Sequence, residues 1–157
     1  MSDHCLLLRK DLRQPLRPVP WPQGILLCAL TPALLPRVHA LLEQGYGAGQ
    51  GDLQPLERWR HDLQHDAEYD PQLCFVSLLD GQVVGVALAW TSAYLKDLVV
   101  HPRLQGRGLG GALLNQVFSA FQQRGEACVD LKVMEHNHPA RQLYAKFGMQ
   151  LIRREAL

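Results

Sequence analysis

The chain has 157 residues, a formal net charge of +1, 47% hydrophobic residues and 20% charged residues. This composition is typical of a globular domain and argues against a disordered chain. A net charge so close to zero gives no overall electrostatic field that would attract nucleic acid or an anionic membrane. Any anionic ligand must therefore be bound by local geometry. We therefore expect one domain over residues 1–157 and no nucleic-acid partner.

The cysteines and the start of the chain bear on its compartment. The four cysteines, at positions 5, 28, 74 and 128, lack C-x-x-C spacing. They are predicted to be small buried thiols in a reducing compartment. The apolar run Cys5–Leu8 is too short for a signal or membrane segment. We expect a cytoplasmic protein without a membrane partner.

The first 22 residues mix basic residues with prolines, which prevent a continuous helix. We predict an irregular, basic, proline-rich arm over residues 1–22. Residues 25–30 are a short strand candidate. Thr31 and Pro32 then predict a helix start, although Pro36 favours a start at Leu35, and Gly45 is expected to end this helix.

A flexible connection is predicted over residues 45–54, and Pro55 then begins a second helix with Trp59 on its apolar side. His61 and His65 share one face of this helix, as in the zinc motif H-E-x-x-H. Because Asp62 replaces the glutamate of that motif and no third ligand is evident, we interpret them as exposed helix histidines and predict no metal site.

Several strands follow in the middle and last parts of the chain. Residues 73–79 and 83–91 flank Asp80-Gly81, a hairpin turn signal. The second of these runs is almost entirely apolar, which predicts a central strand covered on both faces. Further strands are predicted at 95–100, 128–134 and 150–154, with a short helix before the last.

The stretch Gln105–Gly111 (QGRGLGG) joins the strand at 95–100 to a helix that ends near Gly125. Its four glycines let a ligand approach the backbone, since no Cβ blocks the way. The first amides of the helix have no intrahelical acceptor and lie at the positive end of the helix dipole. A strand, a glycine-rich turn and a helix start together predict a phosphate site.

Two phosphate-binding loops fit this stretch poorly. The nucleoside-triphosphate loop requires Gly-Lys-Ser/Thr, and the chain has Gly-Gly-Ala. The dinucleotide fingerprint G-x-G-x-x-G matches at Gly106, Gly108 and Gly111, with Glu135 as the later acidic residue. However, residues 101–105 separate the strand from the first glycine, and too few residues follow for the rest of a dinucleotide-binding domain.

A third loop type matches better, because two linked motifs are present. Val100-His101-Pro102 precedes Gln105-Gly106-Arg107-Gly108-Leu109-Gly110, and a strand at 131–133 precedes Asn137-x-x-Ala140-x-x-Leu143-Tyr144-x-x-x-Gly148. Together they resemble the GNAT superfamily of acetyl-CoA-dependent N-acetyltransferases. The resemblance implies an α/β fold with a mixed, mostly antiparallel, twisted sheet, helices on both faces, and the cofactor at the splay between two central strands.

The resemblance also implies direct transfer of an acetyl group from acetyl-CoA to an amine. The expected cofactor contacts are the loop Gln105, Gly106, Arg107, Gly108, Leu109, Gly110 and Gly111, the strand backbone of Leu98, Val99 and Val100, and the side chains of Asn137 and Tyr144. Tyr144 is the expected general acid for the leaving thiolate, since a free phenol with a pKa of about 10 is protonated at neutral pH. Asp97 is the first candidate for the general base, and Glu135, Glu43, His61 and bulk water are alternatives.

In the resembled family the first two helices and their connection form the acceptor wall. Here that wall would carry Tyr46, Trp59, His61, His65, Asp66, Glu68, Tyr69 and Asp70. Acidic and aromatic side chains together would suit an amine or cationic acceptor, and the alternative is that these residues form an ordinary solvated face. The interpretation is a small-molecule N-acetyltransferase. The alternatives are an enzyme acting on a lysine or N-terminus of a peptide or protein, and a non-catalytic acyl-CoA-binding domain. A homodimer is possible on family grounds.

Overall fold

The structure, a computed structural model, describes residues 3–46 and 53–157. Its strands are β1 His4–Asp11, β2 Leu26–Ala29, β3 Tyr69–Leu79, β4 Gln82–Trp90, β5 Tyr94–Val100, β6 Cys128–Met134 and β7 Gln150–Ala156. Its helices are α1 Leu35–Tyr46, α2 Leu56–His65, α3 Leu109–Gln123 and α4 His138–Lys146, with 3-10 turns at Pro32–Leu34 and Pro102–Leu104. The predicted mixed α/β class is confirmed.

The seven strands form one sheet in the order β2-β3-β4-β5-β6-β1-β7. Neighbouring strands are antiparallel except for β5 and β6, which are parallel. These two strands pair only at Tyr94 and Asp130 and then diverge. The sheet is therefore open in its middle, between two antiparallel halves.

Helices cover both faces of the sheet and define two cores. The α1-side core contains Leu35, Val38 and Leu42 of α1 with Trp59 and Leu63 of α2. The α3-side core is built around the buried face of α3, from Leu109 to Phe121. Strand β4 contributes Val86 and Leu88 to the first core and Ala87 and Ala89 to the second. The predicted central strand covered on both faces is confirmed.

The predicted arm over residues 1–22 is wrong for residues 4–11. These residues form β1, which lies between β6 and β7 and pairs with both. Leu6 is only 3% exposed. Arg9, one of the basic residues of the predicted arm, donates to both carboxylate oxygens of Asp130 on β6, at 2.7 and 2.9 Å. The prolines that suggested an irregular arm begin only at Pro15, after the strand has ended.

The turns and helix boundaries predicted from the local sequence agree with the structure apart from small shifts. Asp80 and Gly81 have φ values of 51° and 77°, which a type I′ hairpin requires. Helix α1 begins at Leu35, as Pro36 favours, but continues past Gly45 to Tyr46. Strand β7 extends beyond the predicted residue 154 because it pairs with β1 along its length. The predicted flexible connection lies largely outside the described residues, since 47–52 are not among them.

The cysteines and helices of the described ranges add two observations. All four thiols are free; Cys5 and Cys74 are buried, and Cys28 and Cys128 are partly exposed. Within residues 3–46 and 53–157, no helix combines the length and the apolar character needed to cross a membrane.

The position of β1 between two other strands predicts that its residues are essential to the stability of the fold. Leu6→Ala, which empties a buried site in the α3-side core, is expected to lower the free energy of unfolding by about 2–5 kcal/mol. The same substitution at Leu26, which is 63% exposed, is expected to change it by less than about 0.5 kcal/mol. Urea unfolding measures both, and equal small effects would contradict the placement of β1 in the core.

Candidate active site

The glycine-rich turn has the conformation that an anion site requires. After the 3-10 turn, Gly106 and Gly108 adopt φ values of 77° and 88°, in the left-handed region that favours glycine. Gly108 is the N-cap of α3. A Cβ at either position would meet no other atom within 4 Å, so both glycines border open space. The amides that open α3 therefore face an accessible surface.

The other two glycines of the loop serve a different purpose. A Cβ at Gly111 would lie 2.3 Å from Cζ of Phe147, and one at Gly110 would lie 3.4 Å from Cδ2 of Leu143. Both contacts join the start of α3 to α4 and the residue that follows it. Gly111 is a predicted cofactor contact. The absence of a side chain at Gly111 leaves room for Phe147 to pack against α3, and only the Gly111 amide is part of the helix start.

The divergence of β5 and β6 creates a cleft beside this loop. The cavity there has a volume of about 730 Å³. One wall is formed by residues 96–100 of β5 and another by residues 132–134 of β6. The side chains of Gln105, Asn137 and Tyr144 also line it. The structure therefore brings both predicted motifs to one cleft.

The register of β5 determines which backbone groups face the cleft. The amide of His101 donates to the Val84 carbonyl at 2.8 Å, and hydrogen-bonded pairs alternate along an antiparallel ladder. Asp97 and Val99 therefore direct their backbone groups to β4, whereas Leu98 and Val100 direct theirs to the cleft. Val99 departs from the predicted cofactor contacts in this respect, and its side chain is buried in the α1-side core.

Tyr144 and Asn137 come from α4 and its N-cap. Burial raises the pKa of Tyr144 to about 12, so the phenol is protonated throughout the neutral range. The Asn137 side-chain oxygen accepts a hydrogen bond from the Ala140 amide at 3.3 Å, which fixes it as the cap of α4. Both residues line the cleft, and their contacts with a cofactor stay predictions.

Asp97 faces the α1 side of the sheet, as Val99 does, because residues 97–100 pair in regular register with residues 85–88. A bulge in β5 comes immediately before Asp97. Asp97 is opposite Leu88 and Leu95 is opposite Ala89, so Lys96 is an extra residue in the ladder. The alternation reverses there, and Leu95 enters the α3-side core while Asp97 turns to the other face.

The Asp97 carboxylate is 6% exposed and has a donor at each oxygen. The Tyr46 hydroxyl donates to Oδ1, and Lys96 Nζ donates to Oδ2 at 2.9 Å. Burial raises the pKa of Asp97 to about 7. The two donors oppose that shift because they stabilise the charged form.

A second cavity of about 370 Å³ meets the cleft at this point. Its aromatic and acidic lining includes Trp59, Asp62, Asp66 and Trp90. Three residues line both cavities, namely Tyr46, Lys96 and Asp97. The two cavities therefore adjoin at these three residues, around the Asp97 carboxylate.

The predicted acceptor wall is present only in part. Tyr46, Trp59 and Asp66 line the second cavity, whereas His61, His65, Glu68, Tyr69 and Asp70 do not. Trp90 and Lys96 also line this cavity and were not predicted there, since they come from strands and not from the two helices. Their only signal was an aromatic residue at the end of an apolar strand and a charge in the next strand.

The remaining base candidates lie outside both cavities. Glu135 is engaged by Arg154, with contacts of 2.6 and 2.8 Å, which lower the pKa of that carboxyl. Glu43 lies 3.0 Å from His39 Nδ1. The His61 ring stacks on His65 at 4.1 Å between centroids. Among the described residues, no cluster of three His, Cys, Asp or Glu side chains is placed to hold a metal ion.

Comparison with known proteins agrees with this geometry. The acetyltransferase (GNAT) family matches residues 35–149, which is most of the chain. The chain belongs to the GNAT acetyltransferase family. The matched range contains β3 to β6, all four helices and every residue that lines either cavity.

Solved structures show the same fold. A GCN5-related N-acetyltransferase from Sphaerobacter thermophilus superposes with a TM-score of 0.86 at 26% identity, over 99% of this chain and 50% of that one. The ribosomal-protein-S18-alanine N-acetyltransferase from Escherichia coli gives 0.65 at 24% identity, over 79% and 76% of the two chains. AAC(6′)-Iy, in complex with the bisubstrate analogue CoA-S-monomethyl-acetylneamine, superposes with a TM-score of 0.65 at 18% identity, over 80% of this chain and 90% of that one. The chain thus spans half the length of the first of these.

The burial of Asp97 predicts a particular dependence of stability on pH. Its folded-state pKa of about 7 exceeds the unfolded value of about 3.9, so the native state holds an extra proton between these values. Stability therefore falls as pH rises through that window. Relative to Asp97→Asn, the wild-type free energy of unfolding is expected to fall by about 3 kcal/mol from pH 5 to pH 8.

Urea unfolding across that pH range measures the difference. Asp62→Asn, which removes a half-exposed carboxylate at the second cavity, controls for the loss of a carboxylate as such. Parallel curves for the wild type and Asp97→Asn would show that burial does not raise the Asp97 pKa.

Proposed function

We propose that this protein transfers an acetyl group from acetyl-CoA to a primary amine of a small molecule. The observation that carries the proposal is the meeting of the two cavities at Asp97. One cavity adjoins the glycine-rich loop and suits the acyl donor, and the other has the lining of an amine site. Membership of the GNAT family supports the reaction type.

The cleft fits the acyl donor in two respects. Gly106 and Gly108 leave open space over the helix-start amides, where a pyrophosphate can accept hydrogen bonds. The backbone groups of Leu98 and Val100 that face the cleft can pair with the amides of a pantetheine arm, as an added strand would. Acetyl-CoA supplies an acyl group activated as a thioester.

The reaction requires the acceptor nitrogen to lose two protons and the leaving thiolate to gain one. An acceptor ammonium loses its first proton to the Asp97 carboxylate, because a base whose pKa is near neutral suits that step. The amine nitrogen forms a bond to the acetyl carbon and the carbon–sulfur bond breaks. The departing thiolate takes the proton of the Tyr144 hydroxyl, and the second proton that the nitrogen releases as the amide forms restores that hydroxyl. The products are the acetylated amine and free coenzyme A, and Asp97 passes its proton to solvent.

The second cavity supports a small acceptor. Its volume of about 370 Å³ lies at the lower end of the range for small-molecule sites. Trp59 and Trp90 offer aromatic faces to a cation, and Asp62 and Asp66 offer negative charge. The acidic and aromatic lining favours an amine that carries positive charge in solution.

Binding of acetyl-CoA is predicted to depend on Gly108. In Gly108→Glu, a side chain and a negative charge occupy the space over the helix-start amides, so we expect binding to weaken by at least about 100-fold, the effect of losing several charge-assisted hydrogen bonds. Gly125→Glu is the matched control, since Gly125 lies beyond the other end of α3 with a φ of 83° and equally open surroundings.

Calorimetric titration with acetyl-CoA, and with NADH and NADPH for comparison, measures this binding. Equal affinity in the two variants would contradict the assignment of the loop. Binding of a nicotinamide cofactor without acetyl-CoA binding would restore the dinucleotide alternative.

Catalysis is predicted to depend on the Tyr144 hydroxyl. We expect Tyr144→Phe to reduce kcat by about 10²–10⁴-fold, the usual effect of losing a general acid, with little change in acetyl-CoA affinity. Thiol release in the presence of a panel of small amines and diamines measures the rate. A fully active Tyr144→Phe variant would exclude Tyr144 as the acid.

The same panel tests the acceptor. Turnover of peptides alone, with none of the small amines, would favour a peptide or protein acceptor. Acetyl-CoA binding without thiol release for any amine or peptide would favour a non-catalytic acyl-CoA-binding domain.

A further inference from the structure

Tyr46, the last residue of α1, occupies a position that the proposed reaction does not yet explain. Its hydroxyl donates to Asp97 Oδ1 across the boundary of the two cavities, and its side chain lines both of them. No other helix residue among those described contributes a hydrogen bond to this carboxylate. The end of α1 is thereby connected directly to the candidate base on β5.

A close helix–strand contact holds Tyr46 in this position. A Cβ at Gly45 would lie 2.4 Å from Cγ1 of Val99, so only glycine lets the last turn of α1 rest on β5. Val99 is itself buried. The approach places Tyr46 over the residue two positions earlier in β5, which is Asp97.

The bulge in β5 completes the arrangement from the other side. Asp97 shares the α1-side face with Val99, and the extra residue Lys96 immediately precedes it. Lys96 bonds the second carboxylate oxygen and lies 5.8 Å from the centroid of the Trp90 ring. The glycine contact and the bulge therefore accompany the two donors, Tyr46 and Lys96, that bond the two oxygens of one carboxylate.

We propose that Tyr46 is a positioning residue for the general base, because its hydroxyl fixes the Asp97 carboxylate at the junction of the cavities and favours its ionised form. The proposal rests on the proposed function, in which Asp97 accepts the proton of the acceptor ammonium. It assigns the end of α1 a role in setting the pH range of the enzyme, in addition to forming a wall of the acceptor cavity.

Several charged or titratable groups face this carboxylate or its two donors. They are Tyr46 from α1, Asp62 from α2, Asp66 at the C-cap of α2, Cys74 from β3, Lys96 on β5, Lys132 from β6, His136 after β6 and Tyr144 from α4. Burial lowers the pKa of Lys96, which Asp66 and Cys74 partly oppose. Only Tyr46 and Lys96 among these bond the carboxylate directly.

The test is the pH profile of kcat/KM for acetyl transfer in Tyr46→Phe. Loss of the hydroxyl removes a hydrogen bond that favours the charged carboxylate, so the acidic limb is expected to move upward by about one pH unit. Below that limb the rate falls about tenfold relative to the wild type. Tyr94→Phe is the matched control, since Tyr94 lies on the same strand and lines neither cavity.

A second readout does not require turnover. The carboxyl carbon of Asp97, identified by its loss in Asp97→Asn, is titrated by ¹³C NMR in the wild type, Tyr46→Phe and Gly45→Ala. We expect its midpoint to rise in both variants, because Gly45→Ala displaces Tyr46 without removing the hydroxyl. Circular dichroism and urea unfolding show whether each variant is folded.

The outcomes separate the two proposals. A raised NMR midpoint without turnover of any amine supports the Tyr46–Asp97 coupling and counts against the proposed function. Turnover with an acidic limb and an NMR midpoint unchanged in Tyr46→Phe overturns the role of Tyr46 and leaves the proposed function standing. An equal shift in Tyr94→Phe would also overturn it.

Discussion

The site depends on one incomplete strand pairing, that between the parallel strands β5 and β6. They are joined at Tyr94 and Asp130 only, and beyond that point their facing backbone groups must find water or a ligand. The gap is stable because each strand is paired on its other side, β5 with β4 and β6 with β1. Since α3 and α4 follow two parallel strands, both helices begin at the open end, which brings the glycine loop and Tyr144 to the same cleft.

Signals carried by neighbouring residues could be read from the sequence, and those that depend on distant pairing could not. The hairpin at Asp80-Gly81, the glycine loop and the covered strand β4 have local causes in turn chemistry and hydrophobic pattern. Strand β1 has no such cause, because its apolar run is short and ends in basic residues. Its ion pair joins Arg9 to a partner 121 positions away, and its backbone pairs with β6 and β7, which are also distant in the chain.

The cleft and the place where it adjoins the second cavity, at Asp97, also differ in how far they could be predicted from the sequence. The loop residues and Tyr144 belong to linked motifs whose spacing is visible, whereas the faces of β5 on either side of Lys96 depend on how that strand pairs with β4. One inserted residue reverses the faces of a strand without any mark in composition. Tyr46 was predicted on the acceptor wall, but its bond to Asp97 requires the Gly45–Val99 contact, which no spacing rule connects.

The Asp97 junction is also costly for the fold, which bears on why it is present. Arg9 and Asp130 form their ion pair where both side chains are partly exposed, so little hydration is lost. Asp97 is almost fully buried, and its two donors only partly offset the cost of removing a carboxylate from water. An apolar residue there would pack against Leu88 and Val99 without that penalty. Burial raises the pKa of this carboxylate toward neutrality where the two cavities adjoin, and such a costly placement supports the proposed proton transfer, since it does not serve stability.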